Sequence, residues 1–152
     1  MEMHGTRVIA ADRATVWEAL NSAEVLRACI PGCEELTGSP EDGFAATVKQ
    51  KIGPVRATFK GAVTLSDVVP GQSYTIAGEG KGGVAGFAKG SAQVQLRDAE
   101  GGTELIYEVD AKVGGKIAQL GSRLIDGFAR KMAAQFFDRF QEQIEGDGTQ
   151  TA

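Results

Sequence analysis

The chain has 152 residues, of which 42% are hydrophobic, and its formal net charge is −4. This length fits one domain with a normal core, and the acidic balance argues against nucleic-acid binding, which favours strongly basic surfaces. No apolar stretch reaches the ~18 residues that cross a bilayer, and the N-terminus lacks the features of a signal peptide. Since two cysteines fit a reducing compartment, we expect a cytoplasmic protein.

The first part of the chain predicts one strand followed by two short helices. Residues 2–10 have the composition of a strand. Asp12 is a favourable N-cap for a helix over Arg13–Leu20, and Ser22 for a second helix that ends near Cys29.

Cys29 and Cys33 form a CxxxC pair, which is compatible with a redox or metal site and also with ordinary packing. A zinc site normally needs four ligands, and the sequence offers one histidine, His4, and no further cysteine. We interpret both residues as small buried thiols, and predict neither a bound metal nor a covalent cofactor.

Six more strands are predicted in the middle of the chain. Short connections that contain glycine or proline separate them, and such connections are typical of antiparallel hairpins. The predicted strands span 33–38, 43–52, 55–68, 73–81, 86–98 and 102–113.

Side-chain alternation within these strands indicates an inner face made of unusually small residues. A densely packed core would carry Val, Ile or Leu at such positions. Two interpretations remain open: the glycines bend a strongly curved sheet, or they leave a pocket for an apolar ligand. The small inward residues are Gly61, Gly78, Gly80, Ala88, Gly90, Ala92 and Ala111.

One long helix is predicted after the last strand. Residues 116–144 contain no proline, and their apolar residues recur every three or four positions. The order of elements predicts an α+β fold in which a curved seven-stranded antiparallel sheet wraps around the long helix. We expect this domain to cover residues 1–145 and the polar segment 146–152 to be a disordered tail.

The two ends of the predicted sheet differ in charge. The end that carries the start of the long helix is rich in glycine and flanked by lysines, whereas the opposite end is acidic. We predict that the cationic end docks on an anionic membrane, where each Lys or Arg contributes about 1 kcal/mol. The alternative is an uneven charge distribution without function. The predicted docking residues are Lys51, Lys81, Lys89 and Lys116.

Catalytic machinery is sparse in the sequence. No serine or acid is linked by spacing to His4, and the inward positions of the clearly alternating strands hold no carboxylate pair. Residues 78–83 match GxGxxG, but a strand rather than a helix is predicted after them, which disfavours dinucleotide binding. We therefore expect a protein that is not an enzyme.

Several blocks of the sequence resemble the G-subunit family of carbon monoxide dehydrogenase. The two most specific blocks are residues 29–34, CIPGCE, and residues 113–125, VGGKIAQLGSRLI. The resemblance extends over about residues 1–144. It implies a helix-grip fold, which START lipid-transfer domains and Bet v 1-type proteins share.

The resemblance also implies a role beside a molybdenum-containing carbon monoxide dehydrogenase or a related hydroxylase. In that family the role is linked to membrane recruitment and to a lipophilic quinone acceptor. Many relatives carry a C-terminal membrane anchor that this sequence lacks, so we expect only peripheral contact with the inner face of the cytoplasmic membrane. Our first hypothesis is binding of a quinone or lipid in the cavity. The alternatives are an assembly or recruitment factor with an incidental cavity, and a small-molecule enzyme.

The expected ligand-binding residues come from the predicted strands and from the apolar face of the long helix. Aromatic side chains among them can stack on a ligand ring, and the tyrosine hydroxyls can bond to a carbonyl. The same residues are equally suited to a plain core. They are Phe59, Val63, Tyr74, Ile76, Phe87, Gly90, Tyr107, Leu120, Leu124 and Phe128.

Overall fold

The computed structural model describes residues 1–151, with side chains described as far as Gly146. Within these residues, seven strands and three helices follow one another in the predicted order. The strands are β1 (Glu2–Ile9), β2 (Cys33–Ser39), β3 (Gly43–Ile52), β4 (Val55–Val69), β5 (Ser73–Lys81), β6 (Phe87–Ala99) and β7 (Gly102–Gly114). The helices are α1 (Arg13–Leu20), α2 (Ala23–Cys29) and α3 (Ser122–Thr151), with 3-10 turns at Gly83–Ala85 and Lys116–Leu120.

All seven strands form one antiparallel sheet in the order β1-β7-β6-β5-β4-β3-β2. Each strand from β2 to β7 pairs with its neighbour in the chain, as the short hairpin connections predicted. The α+β architecture with two short helices after β1 and a long C-terminal helix is thereby confirmed. The predicted disordered tail at 146–152 lies, apart from Gly146, outside the residues that are described in full.

The two short helices begin at the predicted caps. The Asp12 carboxylate accepts a hydrogen bond of 2.9 Å from the backbone N–H of Thr15. The Ser22 hydroxyl accepts one of 3.3 Å from the N–H of Val25. Each cap accepts a hydrogen bond from a backbone N–H group that has no partner within its own helix. Because these caps are local features of the sequence, both helices could be predicted correctly.

The long helix begins later than its apolar periodicity predicted. Residues Lys116–Leu120 form a 3-10 turn, and Gly121 has φ +94° and ψ 151°, which is outside the helical region. α3 therefore begins at Ser122, so the prediction of a continuous helix from 116 is wrong. A 3-10 turn also places residues three positions apart on one side, so the apolar spacing did not distinguish it from an α-helix.

Apolar side chains form two separate clusters at the two ends of the sheet. The major core joins α1, α2 and the later part of α3 to the sheet, and includes Val16, Leu105 and Phe140, all fully buried. The minor core contains Ile52, Val55, Ala85 and Ile117, and therefore lies where the β3–β4 turn meets the two 3-10 turns. The central part of the inner face lies between these cores.

Candidate ligand-binding hollow

The cross-strand register brings the small inward residues side by side across β4 to β7. Residues directly opposite one another on paired strands share a face of the sheet, so these residues form a continuous floor. Two adjacent rows of the floor consist of Gly61, Gly80 and Ala88, and of Gly78, Gly90 and Ala111.

The floor remains accessible to solvent although it faces the helix side of the sheet. Its small residues are only half-buried, and so are the larger inward residues Val63, Ile76 and Val109 in the same region. The major and minor cores at either end are buried. A Cβ atom added at Gly80 would meet no atom within 4 Å. Part of the floor is therefore uncovered, and we call the space above it, on the helix side of the sheet, the hollow.

The floor glycines differ in the space that surrounds them. A Cβ on Gly90 would collide with the carbonyl oxygen of Asp110 on β7, and one on Gly78 would collide with the side chain of Val63. These two positions need glycine for close packing, whereas Gly80 leaves open space. The floor thus contains positions where glycine permits close packing and one position, Gly80, where it leaves space.

Five of the predicted ligand-binding residues lie beside the hollow. Val63 and Ile76 belong to the inner face of the sheet. Phe59, Leu120 and Phe128 pack against the minor core, where each stays partly accessible. They close one end of the hollow with apolar surface.

Three predicted ligand-binding residues lie elsewhere. Tyr74 is 4% exposed in the major core, and its ring packs edge-on against Trp17 at 5.2 Å between centroids. Burial raises the pKa of the Tyr74 hydroxyl far above its ordinary value. Phe87 lies opposite Lys81 and so faces outward, with its ring over Gly114. Leu124, in the first turn of α3, is exposed and lies beside Gly53 of the β3–β4 turn.

Tyr107 lines a separate opening between β1 and α3, which we call the side groove. This groove has a volume of about 340 Å³. The Tyr107 ring stacks on Phe137 of α3 at 5.0 Å, and its hydroxyl fills the space that the missing side chain of Gly5 leaves. The residues lining the side groove are Glu2, Met3, His4, Arg7, Tyr107, Arg130 and Ala134.

Arg7 is an inward-facing arginine that the sequence analysis missed. Its guanidinium donates to Asp138 at 2.8 Å and to Gln141 at 3.0 Å, and lies 5.5 Å from the centre of the Phe137 ring. The adjacent apolar pair Val8 and Ile9 obscured the facing of β1, because both were candidates for the core. In the structure Ile9 is buried and Val8 is half-exposed.

The outer face of the sheet carries like charges directly opposite one another. The three cross-strand pairs are Lys51 with Arg56, Lys60 with Lys81, and Lys89 with Lys112. Like charges in such positions destabilise a sheet. Seven of the eight lysines in the chain lie between residues 49 and 116, and Lys116 itself is exposed on the second 3-10 turn. The predicted docking lysines are thus all accessible to solvent.

The cysteines show no sign of a reactive site. Cys29 is buried and Cys33 half-buried, and both are free thiols. Burial raises the pKa of each thiol, so neither is activated as a thiolate. Among the described residues, no group of three or more His, Cys, Asp or Glu side chains is arranged to hold a metal ion. No helix in the described part of the chain is long and apolar enough to cross a membrane.

Solved structures share this fold over nearly the whole chain. A conserved protein from Geobacillus kaustophilus is 28% identical, with 96% of both chains covered and a TM-score of 0.89. A protein from Rhizobium leguminosarum is 19% identical, with 95% and 94% covered and a TM-score of 0.73. Ara h 8.0201, a Bet v 1-like protein, is 13% identical, with 96% and 98% covered and a TM-score of 0.64.

The sequence comparison gives the family. No curated protein matches the chain in sequence. The family model for the G subunit of carbon monoxide dehydrogenase (CoxG) matches residues 5–145, which is nearly the whole chain and includes both specific sequence blocks. The protein therefore belongs to the CoxG family, the G-subunit family of carbon monoxide dehydrogenase.

Proposed function

We propose that this protein is a non-enzymatic carrier that binds an apolar ligand in the hollow above the floor. The observation that carries the proposal is the half-buried floor of small residues between two buried cores. A ligand that covers this surface gains about 25 cal/mol for each Å² of apolar area removed from water. Gly80 offers the space, and Phe59 and Phe128 offer aromatic contacts.

The proposed ligand class is an isoprenoid quinone or another lipid. The family name supplies the context, because oxidation of carbon monoxide releases electrons that a lipophilic quinone can accept. The proposed partner is accordingly a molybdenum-containing carbon monoxide dehydrogenase or a related hydroxylase. The carrier would bring the acceptor to that enzyme without performing the redox chemistry itself.

The proposal includes peripheral docking on the anionic inner face of the cytoplasmic membrane. The three like-charge pairs on the outer face form a positive surface that would attract an anionic membrane, and Glu79, which lies opposite Lys89 and 3.6 Å from Lys81, offsets only part of this charge. Val84, at the tip of the first 3-10 turn, is 94% exposed, so an apolar side chain accompanies the cations. Lys81 precedes the first 3-10 turn and Lys116 begins the second, and these two turns contact each other.

Ligand binding is tested on protein purified from a quinone-producing host. Native mass spectrometry followed by organic extraction should detect a quinone or lipid near one per chain, and titration calorimetry with decylubiquinone should give saturable binding. Protein that is empty and does not bind decylubiquinone or phospholipid would overturn the carrier proposal. Tight binding of such empty protein to the dehydrogenase would instead favour an assembly or recruitment factor.

Membrane docking is tested by sedimentation with liposomes that contain about 30% phosphatidylserine, an anionic lipid. Replacement of the four docking lysines by glutamine should abolish co-sedimentation, since each nearby charge contributes about 1 kcal/mol. A matched variant removes the same number of positive charges elsewhere, and should still bind. Its substitutions are Arg27→Gln, Arg97→Gln, Lys131→Gln and Arg139→Gln. Equal losses in both variants, or no binding by the native protein, would refute a specific docking surface.

A further inference from the structure

The side groove carries hydrogen-bond donors that no protein atom uses. Within the described residues, neither the Tyr107 hydroxyl nor the Arg130 guanidinium has a hydrogen-bond or ion-pair partner. Arg7, on the same groove, is instead satisfied by Asp138 and Gln141. These two donors therefore face a space large enough for a small polar group, which the imidazole of His4 also lines.

Tyr107 is held rigidly in this position. Its ring is stacked on Phe137, and the adjacent Gly5 leaves no side chain to displace it. A donor that is already oriented loses little conformational freedom when a ligand binds. Arg130 and Ala134 lie one turn apart on the face of α3 that lines the groove, so the guanidinium is presented to the same space.

The side groove and the hollow lie on the same face of the sheet, and one row of residues runs from one to the other. Met3, which lines the groove, lies opposite Val109 on β7, and Val109 lies opposite Ala92 on β6. Ala92 in turn lies opposite Ile76 on β5, within the inner face of the sheet. One elongated ligand can therefore have its apolar part on the floor and one end at Tyr107.

The charges around the groove favour a head group of low charge. Asp138 neutralises Arg7 through an ion pair of 2.8 Å, and the carboxylate of Glu2 lines the same groove as Arg130. A doubly charged phosphate would meet no excess of positive charge here. A ring carbonyl or a single carboxylate needs only the two donors, and arginine can donate but cannot accept.

We propose that the side groove binds the oxygen-bearing head group of the ligand, with the Tyr107 hydroxyl and the Arg130 guanidinium donating to its carbonyl or carboxylate oxygens. This inference rests on the proposed function, because it requires the apolar part of the ligand to lie in the hollow. It assigns a direction to the ligand: head group between β1 and α3, apolar part towards the minor core.

The test measures the affinity of three probes by titration calorimetry: decylubiquinone, dodecanoate and dodecyl phosphate. The variants are Tyr107→Phe, which keeps the stacked ring, and Arg130→Gln. Arg123→Gln is the matched control, since Arg123 is an exposed arginine of α3 that does not line the groove. Thermal unfolding of each ligand-free variant verifies that it is folded.

We expect Arg130→Gln to weaken dodecanoate binding about tenfold or more, and Tyr107→Phe to weaken decylubiquinone binding several-fold, in line with lost hydrogen bonds to charged and neutral acceptors. Dodecyl phosphate should bind more weakly than dodecanoate to the native protein. Native affinities in both variants, alongside binding by the native protein, would overturn the head-group site and leave the carrier proposal intact. Failure of all three probes to bind the native protein would overturn both.

Discussion

Replacement of Gly80 by leucine is expected to fill the hollow without unfolding the protein. A Cβ at Gly80 meets no atom within 4 Å, and no positive φ restricts the residue to glycine. Leucine also suits a strand better than glycine, on a scale that spans about 1 kcal/mol. The free energy of unfolding of the ligand-free variant should therefore stay equal or rise by up to about 1 kcal/mol.

Ligand binding should respond in the opposite direction. The leucine side chain occupies the place of about four ligand carbons, each of which contributes about 0.8 kcal/mol when buried. Exclusion of that length of ligand costs about 3 kcal/mol, which corresponds to a loss of affinity of roughly a hundredfold. Urea unfolding and calorimetric titration with decylubiquinone measure the two quantities on the same preparations.

Two control variants make the result decisive. Ala62→Leu adds a similar side chain on the outer face, opposite Glu79, and should change neither stability nor affinity appreciably. Gly90→Leu should destabilise the protein by about 1–3 kcal/mol or more, because its Cβ collides with the β7 backbone. The reasoning is refuted if Gly80→Leu is as destabilising as Gly90→Leu, or if it folds normally and still binds decylubiquinone with native affinity.

Three further predictions concern the core, the thiols and the outer face. Phe140→Ala should lower the free energy of unfolding by about 3–5 kcal/mol in urea titrations, since Phe140 is fully buried in the major core; a loss below about 1 kcal/mol would contradict that packing. At about pH 8, near the ordinary thiol pKa, iodoacetamide should label Cys33 in the native protein but label Cys29 only after unfolding. Peptide mass spectrometry distinguishes the two sites, and equal labelling rates in the native protein would contradict the burial of Cys29. Lys60→Glu should raise stability by about 0.2–1 kcal/mol at low salt, because it replaces the repulsion with Lys81 by attraction, and this gain should shrink in about 1 M NaCl.

A pH dependence follows from the buried thiol. Burial raises the pKa of Cys29, so the native state keeps its proton more tightly than the unfolded chain. The contribution of Cys29 to the free energy of unfolding is fully present below the thiol pKa of the unfolded chain, about 8.5. This contribution declines as the pH rises above that value. The decline in the unfolding free energy between about pH 8 and 10 should therefore be smaller in Cys29→Ala than in the native protein. An identical decline in both would show that other groups cause it.

The order of the elements and the bounds of the strands and the two short helices could be predicted because their signals are local. Asp12 and Ser22 cap the helices that follow them within three residues, and short hairpin turns dictate antiparallel neighbours. Alternation then gave the inward residues of β4 to β7, including the small residues that form the floor. The two specific sequence blocks were sufficient to indicate the family, which the match over residues 5–145 confirmed.

The tertiary structure determined which neighbours each side chain meets, which periodicity in the sequence does not predict. Tyr74 faces inward as alternation predicted, yet its ring lies against Trp17 in the major core and is buried there. Gly80 and Gly90 look alike in the sequence, but only distant strand neighbours determine that one leaves space and the other permits close approach. The side groove depends on β1 and α3, which lie at opposite ends of the chain. Alternation fixes which face a side chain occupies, whereas packing between remote segments determines what it meets there.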